Sequence, residues 1–275
     1  MGREARVLRF RRGELILDHT ILMGIVNATP DSFVDGGRFT TPKELVDHAL
    51  QLADEGAEIL DLGGESTRPE ADPVPAEEEW RRLEPVLTAL RPKTDARISV
   101  DTYKPDIAAK AIELGADMVN DVTGLRDPRM IALVAKERVP VVVMHMQGEP
   151  KTMNESPAYR DVVSEVRAFL LERAERALGS GIARDAIIVD PGLGFGKSPH
   201  HNVEILHGLG KIGSLGYPVL VGASHKSFVG IGGSVEPSLA AAVLAVENGA
   251  HILRVHEVGA TAKAINRDTV ARRTR

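Results

Sequence analysis

The chain has 275 residues, with 34 basic side chains, 39 acidic side chains and no cysteine. A formal net charge of −5 gives no electrostatic reason to expect nucleic-acid binding, which needs concentrated positive charge. The absence of cysteine excludes disulfides, thiolate metal sites and cysteine nucleophiles. No signal-like segment opens the sequence, and no apolar run approaches the length of about 18 residues that crosses a membrane, so we expect a cytoplasmic protein.

Apolar and polar residues alternate around Gly13, which predicts a short β-hairpin within residues 1–20. Such a hairpin can plug the bottom of a barrel. Short runs rich in Val, Ile and Leu follow, and each predicts a strand. These eight runs begin at Ile21, Ile59, Ile98, Met118, Val141, Ile187, Val219 and Ile252. Helical apolar spacing lies between them, as in residues 44–53 and 107–114, and it ends at Gly56 and Gly115, which suit the left-handed position after a helix.

Strands and helices therefore alternate along the sequence. The near-continuous apolar strands need cover on both faces, which predicts a parallel sheet. Eight such units in 275 residues match the (β/α)8 TIM barrel, an α/β fold of typically about 250 residues. An open doubly wound sheet is the alternative, but no Gly-x-Gly-x-x-Gly motif follows the first strand of the sheet. No linker interrupts the pattern, so we predict a single domain over residues 1–275.

The predicted strands end in polar residues, and the carboxyl ends of barrel strands meet on one face. The side chains expected there are Asn27, Asp61, Asp101, Asn120, Asp190, Lys226, Arg254 and His256. Carboxylates and amides suit a flat heterocycle with amino and amide-like N–H groups, and the fork of Arg254 matches phosphate oxygens. Burying such groups unpaired costs on the order of 1–3 kcal/mol each, so a ring of them indicates a ligand site.

Some of these residues also have a structural interpretation. A lone aspartate after a strand is often a helix N-cap, and this interpretation is favoured for Asp61 and Asp121. Taken singly, His145 and His256 are more often hydrogen-bonded structural residues than catalytic ones.

Three glycine-containing loops follow strands on the same face. Residues 31–37 and 63–69 carry paired glycines together with side chains that can reach anions, namely Asp35, Ser66, Thr67 and Arg68. Loops of this kind can close over a substrate. The third loop, at 192–197, lacks the spacing of a Walker phosphate loop, so we interpret it as a loop of close backbone approach that presents Phe195.

Together, these motifs resemble the dihydropteroate synthases of folate biosynthesis over residues 24–258. The shared motifs are Asn-x-Thr-Pro-Asp-Ser-Phe at 27–33, Asp-Gly-Gly at 35–37, Gly-Gly-Glu-Ser-Thr-Arg-Pro at 63–69, Ser-Val-Asp-Thr at 99–102, Asn-Asp at 120–121, Asp-Pro-Gly-x-Gly-Phe-Gly-Lys at 190–197, Ser-x-Lys-Ser at 224–227 and Arg-Val-His at 254–256. The resemblance implies a barrel enzyme, commonly a homodimer. It would join 6-hydroxymethyl-7,8-dihydropterin diphosphate to 4-aminobenzoate and release pyrophosphate, with Mg²⁺ as cofactor.

The resemblance also implies roles position by position. The implied pterin pocket consists of Asp101, Asn120, Asp190 and Lys226. The implied diphosphate site consists of Asn27, Arg68, Arg254 and His256, with Asn27 as the metal ligand. The implied 4-aminobenzoate site consists of Thr67, Arg68, Pro69, Phe195 and Ser227. The implied catalytic residues are Asp101, Lys226, Arg254 and His256.

Three residues depart from the family pattern. His225 stands where Arg is usual between Ser and Lys, Glu70 replaces the Gly after Thr-Arg-Pro, and Glu257 replaces a common Asp. Histidine is a weaker, pH-dependent cation, and Glu70 bears on the conformation of the second loop. Two alternative functions remain open. One is a non-catalytic pterin-binding paralogue, and the other is a pterin-dependent methyltransferase domain, which should lack Thr-Pro-Asp-Ser-Phe and Ser-x-Lys-Ser.

Overall fold

The computed structural model describes residues 6–29, 41–66, 72–148, 153, 157–222, 224 and 235–266. The strands in these ranges are β1 Arg6–Arg9, β2 Glu14–Leu17, β3 Ile21–Asn27, β4 Ile59–Gly63, β5 Arg97–Asp101, β6 Met118–Asp121, β7 Val141–Met144, β8 Ile187–Asp190, β9 Leu220–Val221 and β10 Ile252–Val255. The α-helices are α1 Pro42–Asp54, α2 Ala76–Leu90, α3 Pro105–Glu113, α4 Pro128–Glu137, α5 Val162–Gly179, α6 Pro199–Gly213, α7 Glu236–Glu247 and α8 Val258–Ala264. From β3 onward each strand is followed by a helix, so the predicted alternation is confirmed.

The first two strands form a hairpin at the bottom of the barrel. β1 and β2 pair antiparallel with Arg6 opposite Leu17, and the turn between them contains Gly13 at φ +76°. Leu8 and Leu17 are buried in one apolar cluster with residues near the amino ends of the barrel strands, among them Ile21. The predicted hairpin and its place in the barrel are therefore confirmed.

Strands β3 to β10 form one parallel sheet in the order β8-β7-β6-β5-β4-β3-β10-β9. A parallel bridge between Val189 and Val219 joins the two ends of this order and closes the barrel. The predicted (β/α)8 barrel is confirmed, and the open doubly wound alternative is wrong. The seventh barrel strand, β9, is the shortest: among the described residues of the predicted run, Leu220–Val221 forms the strand and Val219 contributes the bridge to Val189.

Local sequence signals explain where the helices begin and end. Helix α1 begins at a capping box in which Thr41 and Glu44 bond each other's backbone N–H groups. Its inward face buries Leu45, Val46, Ala49 and Leu52. Gly56 and Gly115 follow helices α1 and α3 at φ +109° and +100°, as predicted. Among the helices given above, none combines the length and the apolar composition of a membrane-spanning segment.

Candidate active site

The carboxyl ends of the barrel strands bring together the predicted site residues that the structure describes. These residues are Asn27, Asp101, Asn120, Asp190, Phe195, Arg254 and His256. Other predicted residues lie outside the described ranges, namely Thr67, Arg68, Pro69, Lys226 and Ser227, as do Glu70, His225 and the loop at 31–37. The roles assigned to all of these residues remain predictions.

Arg254 forms the centre of the site through two charged hydrogen bonds. Its Nε donates to Asp61 Oδ2 at 2.6 Å, and its Nη2 donates to Asp101 Oδ2 at 2.7 Å. The Arg254 side chain is 19% exposed, Asp61 is 0% exposed and Asp101 is 6% exposed. Removing one partner of a buried ion pair costs about 3–5 kcal/mol, because it leaves the other charge uncompensated. The three side chains therefore form one unit that joins β4, β5 and β10.

The charges in this unit shift one another's pKa. Burial raises the pKa of Asp101 to about 7, a shift that Arg254 opposes and the charge of Asp61 reinforces. Burial alone would lower the pKa of Arg254, but the nearby Asp61 and Asp101 raise it above its ordinary value. Arg254 therefore stays cationic, and Asp101 is the member that changes charge near neutral pH.

Asp61 also orients Asn120. Asn120 Nδ2 donates to Asp61 Oδ2 at 3.1 Å, and both side chains are buried. Because a carboxylate only accepts, the amide nitrogen must face Asp61, and Oδ1 is the Asn120 atom that can accept from a ligand. The N-cap interpretation of Asp61 is wrong, since Pro75 occupies the N-cap of the next helix, α2. Asp61 instead holds two predicted site residues in place.

Asp121 has a structural role, as the sequence favoured, although it caps no helix. Its Oδ1 accepts from the backbone N–H and the hydroxyl of Thr123 at 2.8 and 2.7 Å, and its Oδ2 accepts from the N–H of Leu125 at 3.2 Å. The N-cap of helix α4 is Asp127. Asp121 therefore stabilises the turn after β6, in which Leu125 has φ +57°.

Asp190 and Phe195 border the site on the side of β8. Asp190 Oδ1 accepts from the N–H of Gly192 at 2.7 Å. Phe195 is buried in an apolar cluster that also contains Val122, Met144, Met146 and Met153, and Tyr103 packs against this cluster. An apolar wall beside buried carboxylates suits a flat ligand with polar edges.

The glycine-rich loop at 192–197 approaches the end of β7 closely. Gly192 has φ +67°, and a Cβ added there would lie 2.0 Å from the carbonyl oxygen of His145. Gly196 has φ +62°, and a Cβ added there would lie 2.5 Å from the carbonyl oxygen of Gln147. Side chains other than hydrogen do not fit at either position. The interpretation as a loop of close backbone approach is therefore confirmed.

Lys197 fixes this loop, and the sequence reasoning gave it no role. Its buried Nζ is 2.9 Å from the carbonyl oxygens of Gly192 and Phe195 and 2.9 Å from His145 Nδ1. Because an ammonium group only donates, His145 Nδ1 accepts. Burial, together with the charge of Lys197, lowers the pKa of His145 to about 3. His145 is therefore a neutral structural residue, as the sequence favoured. The sequence signal that could have indicated a role for Lys197 is its place directly after Gly-Phe-Gly.

Asn27 lies at the carboxyl end of β3, beside Asp101. The two side chains flank Gly63, because a Cβ added at Gly63 would lie 3.8 Å from Asn27 Oδ1 and 3.7 Å from Asp101 Oδ2. Because Gly63 has no side chain, space remains between Asn27, the predicted metal ligand, and Asp101 of the unit that Arg254 forms with Asp61 and Asp101.

His256 lies just beyond β10 and contacts the Ser-x-Lys-Ser motif. His256 Nδ1 is 3.0 Å from Ser224 Oγ, and the same hydroxyl is 3.3 Å from Glu257 Oε2. Glu257, one of the three residues that depart from the family pattern, therefore contacts the same serine hydroxyl as His256, the predicted diphosphate-binding residue.

Comparison with known proteins agrees with this geometry. Residues 23–256 match the family described as pterin binding enzyme. The dihydropteroate synthase of Escherichia coli (strain K12) is 44% identical over 257 residues, which cover 91% of each chain. The structure of Xanthomonas albilineans dihydropteroate synthase with 4-aminobenzoic acid has a TM-score of 0.89 at 47% identity and covers 96% of this chain and 97% of that chain. The Xanthomonas albilineans enzyme in complex with 7,8-dihydropteroate has a TM-score of 0.84 at 45% identity, over 94% of this chain and 96% of that chain.

The family match spans nearly all of the barrel, and the similarity extends along almost the whole length of the relatives. The strand order places the described strand-end residues of the matched range at one face of that barrel. The chain therefore belongs to the dihydropteroate synthases, within the family of pterin-binding enzymes.

Proposed function

We propose that this chain condenses 6-hydroxymethyl-7,8-dihydropterin diphosphate with 4-aminobenzoate to give 7,8-dihydropteroate and pyrophosphate. The observation that carries the proposal is the buried unit of Arg254, Asp61 and Asp101 beside Asn120 and Asp190. Two structures of a relative hold 4-aminobenzoic acid and 7,8-dihydropteroate, which are a substrate and the product of this reaction. The chain is then a transferase that forms a carbon–nitrogen bond.

The pterin end of the substrate fits the buried carboxylates and amide. A pterin ring carries an amino group and ring N–H groups along one edge, and Asp190 and Asn120 Oδ1 can accept from them. The apolar cluster around Phe195 supplies a flat wall for the ring. These groups stand on strand ends or on the tightly held loop at 192–197, so we propose that the part of the pterin pocket that they form is in place before substrate binds.

The proposed reaction breaks the bond between the exocyclic methylene carbon and the diphosphate oxygen, which keeps the electron pair. Positive charge then remains on the pterin and its methylene group, and ionised Asp101 stabilises it. Arg254 and His256 stabilise the negative charge that develops on the pyrophosphate. The amino nitrogen of 4-aminobenzoate forms the new carbon–nitrogen bond and passes one proton to the departing pyrophosphate or to water. This substitution needs no protein nucleophile.

We further propose Mg²⁺ as the cofactor, with Asn27 as its protein ligand. Within the part of the chain that the structure describes, no three His, Asp or Glu side chains are grouped as a metal site. This arrangement suits Mg²⁺, which usually keeps several waters and binds one or two protein oxygens together with substrate phosphates. Asn27 Oδ1 is a hard oxygen ligand beside the Arg254 unit. When bound, the ion neutralises charge on the diphosphate.

A cytoplasmic location and a homodimer complete the proposal. The diphosphate substrate is highly charged and does not cross a bilayer unaided, so we place the reaction in the cytoplasm, where such metabolites are made. The homodimer is supported by the family resemblance and by the exposed side of helix α7. Both substrates are small molecules, and no nucleic-acid partner is proposed for a chain of net charge −5.

A turnover assay with both substrates tests the function. Pyrophosphate release should require the dihydropterin diphosphate, 4-aminobenzoate and Mg²⁺ together, and 7,8-dihydropteroate should form in equal amount. The Arg254→Gln chain serves as the negative control. A folded wild-type protein that binds a pterin fragment in calorimetry and yet releases no pyrophosphate would instead be the non-catalytic paralogue.

A further inference from the structure

One serine hydroxyl beyond the end of β9 contacts both residues that follow β10. Ser224 Oγ is 3.0 Å from His256 Nδ1 and 3.3 Å from Glu257 Oε2, and the backbone N–H of His256 donates to the same oxygen at 3.3 Å. We call Ser224, His256 and Glu257 the Ser224 cluster. Ser224 is buried, so protein groups rather than bulk water set the direction of its hydroxyl.

The three contacts together use the full hydrogen-bonding capacity of the Ser224 hydroxyl, which is one donor and two acceptor lone pairs. The Glu257 carboxylate only accepts and the His256 backbone N–H only donates, so the hydroxyl hydrogen goes to Glu257 and one lone pair accepts from the N–H. His256 Nδ1 can act in either way. It faces the remaining lone pair, so it must carry a hydrogen.

The opposite arrangement, in which the hydroxyl donates to His256 Nδ1, is less favourable. It would leave a Glu257 carboxylate oxygen 3.3 Å from the serine oxygen with no hydrogen between the two atoms. A hydrogen bond to a charged acceptor is also roughly twice as strong as one between neutral groups. Glu257 therefore determines which neighbour receives the hydroxyl hydrogen, and through the hydroxyl it determines where the His256 ring carries its own.

Helix capping does not account for the Glu257 side chain. Glu257 stands at the N-cap of helix α8, but its side chain forms no capping bond to the first turn, all of which the structure describes. Its carbonyl oxygen serves the helix instead, by accepting from the N–H of Thr261 at 3.0 Å and from the Thr261 hydroxyl at 2.8 Å. Aspartate is a preferred N-cap residue and glutamate is not. The glutamate that departs from the family pattern thus places its carboxylate against Ser224.

We propose that Glu257 is a positioning residue that acts through Ser224 and holds the neutral His256 ring in the tautomer with its hydrogen on Nδ1. The consequence for substrate rests on the proposed function, in which His256 stabilises the diphosphate. In this tautomer Nε2 is the nitrogen that gains a proton when the ring becomes cationic, so the imidazolium donates from Nε2 to a phosphate oxygen while Nδ1 stays bonded to Ser224. Glu257 itself touches no substrate in this scheme.

Two other buried histidines should carry their hydrogen on the opposite nitrogen. His145 Nδ1 accepts from Lys197, and His251 Nδ1 accepts from the backbone N–H of Val219 at 3.2 Å. A neutral ring whose Nδ1 accepts must carry its hydrogen on Nε2. His145 and His251 are therefore references for the second tautomer within the same molecule.

Nitrogen NMR of protein labelled with ¹⁵N at the histidine rings distinguishes the tautomers directly. Spectra are recorded at about pH 9, above the ordinary histidine pKa of about 6.5, and His256→Gln identifies the signals of His256. The wild-type His256 ring should carry its hydrogen on Nδ1. Glu257→Met keeps the length of the side chain but removes the acceptor, so the hydroxyl should donate to Nδ1 and the ring hydrogen should move to Nε2. The signals of His145 and His251 should not change.

Glu247→Met is the matched control, because it makes the same substitution at an exposed position at the end of helix α7 and should leave the His256 tautomer unchanged. Ser224→Ala keeps the charge of Glu257 but breaks its connection to the ring. In calorimetric titration with pyrophosphate and Mg²⁺, Ser224→Ala should bind at least about threefold more weakly than wild type, because Nδ1 loses its acceptor. A pterin fragment without phosphate should bind within about twofold of wild type.

Three results would overturn the inference. The first is a hydrogen on Nε2 of wild-type His256, and the second is an unchanged tautomer in a folded Glu257→Met chain. The third is an equal loss of affinity for pyrophosphate and the pterin fragment in Ser224→Ala, which would indicate general loosening of the site. Thermal unfolding identifies variants that fail to fold, and the wild-type spectrum decides the tautomer without any substitution. A wild-type chain that does not bind pyrophosphate would contradict the proposed function instead.

Discussion

Arg254 connects carboxylates that enter the site from two different strands. Asp61 and Asp101 occupy neighbouring positions of the barrel, and Arg254 reaches both from β10. A lysine has the charge but not the planar fork that satisfies two acceptors at fixed angles. The same Asp61 oxygen accepts from Asn120, so a residue of the predicted pterin pocket and a residue of the predicted diphosphate site share one acceptor.

The first residue-scale prediction concerns Asp101 and pH. A pterin fragment without phosphate should bind more weakly as the pH falls through about 7, because burial raises the Asp101 pKa to about 7 and the protonated carboxyl loses its charge. Because the pKa of Asp101 is raised from 3.8 to about 7, its contribution to the free energy of unfolding is fully present below pH 3.8 and is lost as the pH rises to about 7. Calorimetric titration at several pH values measures the binding effect.

Asp101→Asn should bind the fragment weakly and lose this pH dependence. Equal slopes of affinity against pH in wild type and Asp101→Asn would show that another group titrates.

The second residue-scale prediction concerns Asp190. Asp190→Asn should keep the fold, since its amide oxygen can still accept from Gly192, but it should weaken pterin binding at least about tenfold, because losing a charge-assisted acceptor costs about 1.5–3 kcal/mol. Asp121→Asn is the matched control, because Asp121 accepts hydrogen bonds from Thr123 and Leu125 in the turn after β6; this variant should lower thermal stability without changing affinity. Unchanged affinity in Asp190→Asn would refute the pterin assignment.

At the scale of elements, the loop at 192–197 depends on an ammonium group that contacts backbone carbonyls. Lys197→Met should lower the free energy of unfolding by at least about 2 kcal/mol, since buried carbonyl oxygens would lose their donor at about 1–3 kcal/mol each. Urea denaturation measures this change. Lys211→Met, at an exposed position of helix α6, is the control and should have no effect. Equal stability of the two variants would contradict the structural role of Lys197.

The same loop shows where sequence reasoning succeeds and where it ends. The close approach could be predicted, because alternating glycines signal backbone contact whatever the partner is. The contact between Lys197 and His145 could not be predicted, because the two residues are 52 positions apart and meet only when β7 and β8 pair. Lys104 and Glu79 are 25 positions apart and meet for the same kind of reason.

The strand ends were more accessible to prediction. Asp101, Asn120, Asp190 and Arg254 each follow an apolar run, and barrel geometry alone brings such residues to one face. Their hydrogen bonds could not be predicted, because nothing local distinguishes Asp61, which accepts from Asn120 and Arg254, from a helix cap. That these described strand-end residues meet on one face could therefore be predicted from the sequence, whereas their hydrogen bonds depended on the tertiary structure.

At the scale of the whole molecule, we predict a homodimer through helix α7. Its Ala241, Ala242 and Ala245 are buried against the barrel, so a second chain would contact the other side, where Leu239 and Val243 are partly exposed. Light scattering should give about twice the 29.6 kDa mass of one chain, and Leu239→Arg should give monomers. A mass of one chain for wild type would refute the dimer, whereas an intact Leu239→Arg dimer would refute only this contact.

The bond between Arg254 and Asp61 spans 193 positions of the sequence, and β10 pairs with β3 beside it. A ribosome releases β3 and β4 long before β10, so the nascent chain holds a strand with an open edge throughout most of its synthesis. Open edges of this kind are prone to pair with other chains, and contacts so distant in sequence form slowly. Chaperone binding should therefore be strongest to chains that stop before residue 252, and such chains would have no pocket at all.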